Sequence, residues 1–349
     1  MSGEGTVLVT GGSGFLGGWC IVEALRKGHR VRTTVRSPSR EAEVRANVAT
    51  EIDAGDRLEV VRADLMSEAG WPEALGGCEC VLHVASPFPE KQPKDPDELI
   101  VPAREGALRV LRASLDAGVQ RIVLTSSVAA VRNGRDGALD GRRELTEEDW
   151  SDPTDPHMSP YAKSKNLAER AAWELMRERG AVDRLVTIQP GAIVGPVLGE
   201  DRSYSLDAIA RLIEGRMPGL PRLGFAFVDV RDVAALHVLA MSAPEAAGQR
   251  LIAAGEFLWF SDVARILRER LGEDARKVPT RNVPNFVVRA MAMVDPGVRS
   301  VASELGHEAR YSAENARRRT GWEPRPVEDT IVECARSLLA HPARAAAPA

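Results

Sequence analysis

The chain has 349 residues, 44% of them hydrophobic, and carries a formal net charge of −4 at pH 7. The length and the apolar fraction are sufficient for one large core, or for one core with a smaller lobe attached. The slightly acidic balance argues against nucleic acid or an anionic membrane as a partner.

The sequence contains no run of about 18 apolar residues, the length expected of a membrane span. Residues 1–5 lead directly into an apolar run and lack the basic flank of a secretory signal. We therefore expect a cytoplasmic protein with reduced thiols. The four cysteines follow neither a disulfide framework nor the spacing of zinc and redox sites, so we predict no metal site. They are Cys20, Cys78, Cys80 and Cys334.

Short β-branched runs alternate with segments of helical periodicity along the first half of the chain. Strands are predicted at 7–10, 32–35, 58–61, 80–84, 121–125 and 185–188, and helices at 15–27, 98–117 and 161–179. Apolar strands separated by helices indicate a parallel sheet that is covered on both faces. The sequence therefore predicts an α/β fold with a doubly wound parallel sheet (Rossmann), which binds ligands at the carboxyl ends of its strands.

The alternation weakens after residue 195. Residues 1–195 are predicted to form the Rossmann domain, and residues 196–340 a mostly substrate-binding lobe from which some segments return to that domain. Predicted elements of this lobe are helices at 207–213, 260–271 and 327–339 and strands at 225–228 and 250–253. The polar stretch 132–159 is too long for an ordinary connection and is predicted to be a loop over the site. Residues 341–349, rich in Ala and Pro, are predicted to be a disordered tail.

The first strand runs into a glycine-rich turn, Thr10-Gly-Gly-Ser-Gly-Phe-Leu-Gly17. Its glycines at 11, 14 and 17 leave room for a pyrophosphate to approach the backbone, and the next helix directs its N-terminal amides at the anion. The alternative is a plain tight turn. The position between a strand and a helix favours a dinucleotide. The predicted cofactor contacts of this turn are Thr10, Gly11, Gly14, Phe15, Leu16 and Gly17.

The end of the second strand indicates which dinucleotide is bound. An NAD site places Asp or Glu about 20 residues after the turn, whereas this chain has Arg36 there. A guanidinium group suits a 2′-phosphate, so we predict NADPH/NADP+ as the cofactor. The alternative is that Arg36 and Arg40 only decorate a solvated turn.

Tyr161 and Lys165 lie four residues apart on a predicted helix, so that their side chains share one face. An ammonium beside a phenol favours the phenolate and should lower its pKa from about 10, which would make Tyr161 a proton donor and acceptor. Lys163 should point away from it. The fifth strand ends in the run Thr125-Ser126-Ser127. The hydroxyl of Ser127 could hold a substrate oxygen or merely satisfy backbone groups.

The motifs Thr10–Gly17, Thr125–Ser127 and Tyr161–Lys165 together resemble those of an extended short-chain dehydrogenase/reductase. Further stretches resemble its dihydroflavonol reductase, cinnamoyl-CoA reductase and aldehyde reductase branch. These stretches are 34–38, 82–87, 166–169, 189–196 and 227–234.

The resemblance implies a catalytic set in which Ser127 polarises a carbonyl, Tyr161 is the acid and Lys165 tunes Tyr161 and holds the nicotinamide ribose. It implies further cofactor contacts at Asp64 and Leu65 (adenine), Ala85 and Ser86 (ribose), and Pro190 and Ile193 (nicotinamide). The implied substrate is a small aldehyde or ketone with an apolar or aromatic body. A homodimer through helices that flank the sheet is a family-level expectation.

Departures from the branch limit what the resemblance implies. Arg132 stands where plant dihydroflavonol reductases have an asparagine that reads the flavonoid ring, so a flavonoid substrate is disfavoured. The residues before the catalytic tyrosine, 157–160, differ from those of plant cinnamoyl-CoA reductases. Val128 and Ala129 replace the Asp-Glu pair of sugar-nucleotide dehydratases, which disfavours that chemistry.

Two other functions stay open on the sequence. A nucleotide-sugar epimerase with tightly bound NAD is disfavoured by Arg36, because such enzymes usually favour NAD. A non-enzymatic dinucleotide sensor is disfavoured because this chain keeps both Tyr161 and Lys165.

Overall fold

The computed structural model describes residues 5–87, 95–132, 140–199, 204–293 and 304–341. Its strands are β1 (Thr6–Thr10), β2 (Arg30–Val35), β3 (Leu58–Arg62), β4 (Cys78–His83), β5 (Arg121–Thr125), β6 (Asp140–Leu145), β7 (Leu185–Pro190), β8 (Ala192–Val194), β9 (Leu220–Pro221), β10 (Gly224–Asp229), β11 (Arg250–Ala253), β12 (Phe257–Trp259), β13 (Asn282–Val283) and β14 (Glu308–Tyr311). Its α-helices are α1 (Phe15–Arg26), α2 (Glu41–Ala49), α3 (Trp71–Leu75), α4 (Asp97–Asp116), α5 (Val128–Val131), α6 (Pro160–Glu178), α7 (Tyr204–Ile213), α8 (Val230–Ser242), α9 (Phe260–Leu271), α10 (Asn285–Met291), α11 (Glu314–Thr320) and α12 (Val327–Ala340).

Seven parallel strands form the central sheet in the order β11-β7-β5-β4-β1-β2-β3. Alternate residues of β1 enter different cores, since Val7 and Val9 pack with α1 and α8 whereas Leu8 packs with α4 and α6. Helices therefore cover both faces of the sheet, as the apolar strands require. The predicted doubly wound Rossmann architecture is confirmed.

β1 lies between β2 and β4, so the order of the strands reverses there. At such a switch point the loops on the two sides separate and leave a crevice at the carboxyl ends of the strands. Here the loops that follow β1 and β4 come close to each other at Gly11 and Ala85. The fold thus brings the glycine-rich turn to the edge where this type of sheet binds ligands.

A second core forms mainly from residues after 195. It contains apolar side chains of α7, α9 and α12 together with β10 and β12. By contrast, α8 packs against α1, and β11 extends the central sheet beside β7. The division into 1–195 and 196–340 stays a prediction. Of the predicted tail, residues from 342 onward lie outside the described residues.

The predicted loop 132–159 contains a strand. Its residues 133–139 lie outside the described residues, but β6 follows them and pairs in parallel with β14. The polar composition of β6 gives no local sign of a strand. The strand forms because it pairs with β14, which comes from the far end of the chain. The segment is thus fixed to the last part of the chain before it enters α6.

Candidate active site

The glycine-rich turn needs several of its glycines for the protein's own packing, among them Gly11 and Gly17. Gly11 has φ of +74°, which side chains disfavour, and a Cβ there would lie 3.1 Å from Cα of Ala85. A Cβ on Gly17 would overlap the carbonyl oxygen of Gly11. These positions fix the turn tightly against α1.

Gly14 differs from its neighbours, since the protein itself leaves room for a side chain there. It is the N-terminal cap of α1 with φ of −85°, and a Cβ would meet only the carbonyl oxygen of Gly11, at an ordinary 3.4 Å. The first turn of α1 is uncharged and directs amides outward, as an anion site requires. The open space at Gly14 therefore fits the pyrophosphate of a dinucleotide. Phe15 and Leu16 follow at the start of α1, and Phe15 packs against both large cores.

Thr10 is fully buried and links the ends of β1 and β4. Its hydroxyl oxygen accepts hydrogen bonds from the amides of Val84 (3.1 Å) and Ala85 (3.0 Å). It therefore donates its own hydrogen to Nδ1 of His83, 2.9 Å away. Burial, with a contribution from Lys165, lowers the pKa of His83 to about 3, so the ring is neutral with its proton on Nε2. In this structure Thr10 positions the strand ends that flank the predicted cofactor site.

Replacing Thr10 by valine is expected to destabilise the protein by about 1–3 kcal/mol, because two buried amides and His83 lose their partner. Urea unfolding measures the change. Thr10→Ser, which keeps the hydroxyl, is the control and should lose less. A valine variant as stable as the wild type would contradict the structural role of the hydroxyl.

Arg36 lies exposed directly after β2, and within the described ranges it forms no ion pair. Arg40, by contrast, is already paired with Glu43 through two hydrogen bonds of 2.8 and 2.6 Å. This pairing lowers the pKa of Glu43. Of the two predicted arginines, Arg36 is therefore the one available to a ligand.

Ser127 and Tyr161 meet at the carboxyl edge of the sheet. Ser127 caps the short helix α5 by accepting a hydrogen bond from the amide of Ala129 at 3.2 Å, and its side chain is also hydrogen-bonded to Tyr161. Ser159 caps α6 in the same way, which places Tyr161 in the first turn of that helix. Two capped helix starts thus bring the serine and the phenol together.

The protonation of Tyr161 and Lys165 differs from the expectation drawn from their spacing. Burial raises the pKa of Tyr161, and the hydrogen bond with Ser127 opposes it. Burial also lowers the pKa of Lys165 from 10.5 to about 8, against the effect of Glu169. Lys165 therefore loses its proton before Tyr161 ionises, and burial leaves the pKa of Tyr161 raised where the spacing predicted a lowered value. At neutral pH the pair is a protonated phenol beside an ammonium.

The remaining predicted cofactor residues follow strand ends or lie in β8. Asp64 and Leu65 come after β3, where the Asp64 carboxylate accepts the amide of Met66 at 2.9 Å. Ala85 and Ser86 follow β4, Pro190 ends β7, and Ile193 lies in the middle of β8. Their contacts with a cofactor stay a prediction.

Two cavities differ in their relation to this site. One of about 20 Å³ lies beside Lys165 and has room for a single water molecule. A larger one, of about 500 Å³, opens beside Arg222 and Trp259, and none of the predicted site residues is among the described residues that line it. The polar side chains of the small cavity are His83, Ser86, Thr125, Ser126, Lys165 and Glu169.

Arg132 is committed to protein contacts. Its guanidinium pairs with Glu304 at 3.1 Å and is hydrogen-bonded to Tyr311, whose pKa burial raises to about 12. His157 is exposed, whereas Met158 is buried. Of the residues that depart from the plant reductases, Arg132 is therefore held by other protein groups and Met158 is buried, whereas His157 is exposed.

Sequence reasoning missed one buried group of the site, the carboxylate of Glu169. It lies four residues after Lys165 on α6 and is fully buried. The repeated spacing of four from Tyr161 through Lys165 was the available signal. An acidic residue on the buried face of a helix calls for partners, and these come from other strands.

Within the part of the chain that the structure describes, no group of His, Cys, Asp and Glu side chains could hold a metal ion. Of the described helices, none combines the length and the apolar character needed to cross a bilayer.

Residues 7–255 match the family of NAD dependent epimerases and dehydratases, and the chain belongs to this family. Cinnamoyl-CoA reductase 1 of Oryza sativa subsp. japonica is 37% identical over 75% of this chain and 75% of its own length. Dihydroflavonol 4-reductase of Zea mays is 35% identical over 78% of this chain and 76% of its own. The predicted resemblance to extended short-chain dehydrogenase/reductases of this branch is confirmed.

Solved structures agree on the fold. Yeast methylglyoxal/isovaleraldehyde reductase complexed with NADPH has a TM-score of 0.79 and 25% identity, covering 96% of this chain and 98% of that one. UDP-glucose-4-epimerase of Stenotrophomonas maltophila with bound NAD has a TM-score of 0.74 over 96% of this chain and 98% of that one, at 22% identity. This second likeness shows the fold alone.

Proposed function

We propose that the chain is an NADPH-dependent carbonyl reductase, which transfers a hydride to an aldehyde or ketone. The chain is an NADP-dependent oxidoreductase by its family and its reductase relatives. The observation that carries the finer proposal is the hydrogen bond between Ser127 and Tyr161 at the switch-point edge, with Lys165 on the same helix face. This arrangement can hold and protonate a carbonyl oxygen.

Each side chain has a role in the proposed reaction. NADPH supplies the hydride when bound, and the residues proposed to hold it are the turn 10–17, Arg36 and the residues after β3, β4 and β7. Ser127 donates a hydrogen bond to the substrate oxygen. Tyr161, whose pKa is raised, stays protonated at neutral pH and gives its proton to that oxygen. The Lys165 ammonium stabilises the phenolate that remains.

We further propose an apolar or aromatic body for the substrate, on the resemblance to the reductase branch. The homodimer and the cytoplasmic location stay predictions. The nucleotide-sugar epimerase and the dinucleotide sensor are less well supported, because the curated relatives named above are reductases and Arg36 is free of ion pairs within the described residues.

A screen of NADPH oxidation over aldehydes, ketones and β-ketoesters tests the proposal. We expect turnover of aromatic or branched apolar carbonyls, followed as loss of absorbance at 340 nm. Absence of turnover across the whole panel would refute the reductase. Purified protein that carries stoichiometric NAD and interconverts UDP-sugars would instead establish the epimerase.

Replacing Arg36 by alanine is expected to raise the KM for NADPH by about 10–100-fold, the equivalent of one or two charge-assisted hydrogen bonds to a phosphate. The KM for NADH should hardly change, because it lacks the 2′-phosphate. Steady-state kinetics with both cofactors measures the difference. Arg40→Ala is the matched control and should have a smaller effect, since Arg40 is paired with Glu43. An equal rise in KM for NADPH and for NADH would contradict the assignment of Arg36 to the 2′-phosphate.

A further inference from the structure

Glu169 lies in the interior with an unusually complete set of donors. Its Oε2 accepts a hydrogen bond from Ser126 at 2.5 Å. Its Oε1 accepts from Thr187 at 2.9 Å, from Gln189 at 2.7 Å and, more weakly, from Trp173 at 3.4 Å. Donors from β7, from α6 and from the end of β5 thus converge on one carboxylate, which is the surrounding that an ionised group needs when it is buried.

The countercharge of Glu169 comes from a different strand. Nε of Arg250, at the start of β11, lies 2.8 Å from Oε1, and the guanidinium is itself almost fully buried. The same guanidinium donates to the carbonyl oxygens of Glu147 and Asp149 and stacks on Trp150, 3.6 Å from the ring centroid. The pair therefore connects α6 both with the sheet and with the segment that precedes the helix.

These contacts surround the reacting groups directly. Ser126 is the neighbour of Ser127 in the chain, and Glu169 follows Lys165 by one helical turn on the face that also carries Tyr161. A shift of α6 along the sheet would break the bonds of Glu169 to Ser126. The carboxylate therefore couples the position of the helix to the position of the strand end.

We propose, on the basis of the proposed function, that Glu169 is a positioning residue. Held by Arg250 and Ser126, it fixes the helix of Tyr161 and Lys165 in register with Ser127 and places a carboxylate one turn from Lys165.

The charged groups around Lys165 make its protonation depend on Glu169. On its own helix, Tyr161 and Glu169 lie four residues to either side of Lys165 on the same face. The neutral His83 of β4 lines the same small cavity as Lys165. Around Glu169 lie Arg170 of the same helix, Arg250 of β11 and, on the other side of Arg250, Glu147. Of these groups, Glu169 is the one that raises the pKa of Lys165 against burial.

The experiment compares the wild type with Glu169→Gln, which keeps the size of the side chain and removes its charge. Loss of the carboxylate lowers the pKa of Lys165 further, so the alkaline limb of kcat/KM for carbonyl reduction should move by about one unit from pH 8 toward lower pH. Activity at pH 8 then falls about fivefold. Glu169→Asp, which keeps the charge, should keep the limb near its wild-type position.

The variant Ser126→Ala distinguishes the effect of Glu169 on the position of the helix α6 from the effect of its charge on Lys165. It removes one bond to the carboxylate and leaves every charge in place, so kcat should fall by about tenfold through loss of alignment while the alkaline limb stays where it is. If Glu169→Gln alone does not fold, the double variant Glu169→Gln/Arg250→Met replaces it in the experiment. Its limb should also lie below that of the wild type, because the carboxylate is the group that acts on Lys165.

A second readout needs no carbonyl substrate. The chain has six lysines, so ¹³C NMR of protein labelled at the lysine ε-carbon resolves the titration of Lys165, with assignment by Lys165→Arg and Lys163 as internal reference. A lowered midpoint in Glu169→Gln supports the inference even if no carbonyl in the panel is reduced, a result that would refute only the proposed function. If thermal stability falls while the midpoint and the pH profile stay unchanged, Glu169 is merely structural and the inference is overturned.

Discussion

Replacing Tyr161 by phenylalanine is expected to lower kcat for carbonyl reduction by about 10²–10⁴-fold, the usual contribution of a positioned general acid. Phenylalanine keeps the ring but has no proton to give, and Ser127 loses its hydrogen-bond partner. Because the raised pKa of Tyr161 keeps the phenol protonated up to alkaline pH, the loss should be similar at all pH values below about 7, since Lys165, with a pKa of about 8, keeps its proton there.

Two controls accompany this variant. Fluorescence titration should show that NADPH still binds, since the turn that is proposed to hold the pyrophosphate is untouched. Circular dichroism should show an unchanged fold. A phenylalanine variant that keeps more than about a tenth of the wild-type kcat would contradict the role of Tyr161 as the acid.

Gly17→Ala is expected to lower mainly the stability of the protein, whereas Gly14→Ala is expected to lower mainly its affinity for NADPH. Gly17→Ala places a methyl group against the carbonyl oxygen of Gly11 and should destabilise the protein by about 1–3 kcal/mol. Gly14→Ala meets open space in the protein and should cost at most about 1 kcal/mol, as a poorer helix cap. Its NADPH Kd, however, should rise by about 100-fold, the loss of two charge-assisted hydrogen bonds to phosphate.

Urea unfolding and NADPH titration of the same two proteins measure this contrast. Gly18→Ala is a useful comparison, because a Cβ there would meet the Leu198 side chain at 3.1 Å and would touch the turn only at the carbonyl oxygen of Gly12, 3.9 Å away. If Gly14→Ala bound NADPH as tightly as the wild type, the open space at Gly14 would have nothing to do with the cofactor.

Elements with a clear apolar pattern could be predicted closely. The strand Arg121–Thr125 and the helix Phe260–Leu271 have the predicted bounds. The helix Glu41–Ala49 was missed because only Val44 and Val48 are buried among its charged residues. The helix Val230–Ser242 was missed for the opposite reason: it is buried on most sides, so its apolar residues lack the periodicity that marks a surface helix.

The residues of the candidate site likewise fall into those that a local motif predicts and those that only the fold brings together. Local motifs gave Ser127, Tyr161 and Lys165, and the structure brings the first two into contact. The set around Glu169 could not be found locally, since its partners Ser126, Thr187, Gln189 and Arg250 lie in or directly after three different strands of the sheet. Burial, which fixes the pKa values of Tyr161 and Lys165, is likewise a property of the whole fold.

The pairing of β6 with β14 sets the order in which the molecule can be completed. During synthesis Tyr161 leaves the ribosome long before Glu308–Tyr311, yet the segment that leads to Tyr161 takes its final course only when β14 lies beside β6. Such distant pairing delays folding, because the ends of a long loop must first meet. The strand β14 thus completes the surroundings of a candidate site whose predicted residues, Ser127, Tyr161 and Lys165, all precede it in the chain.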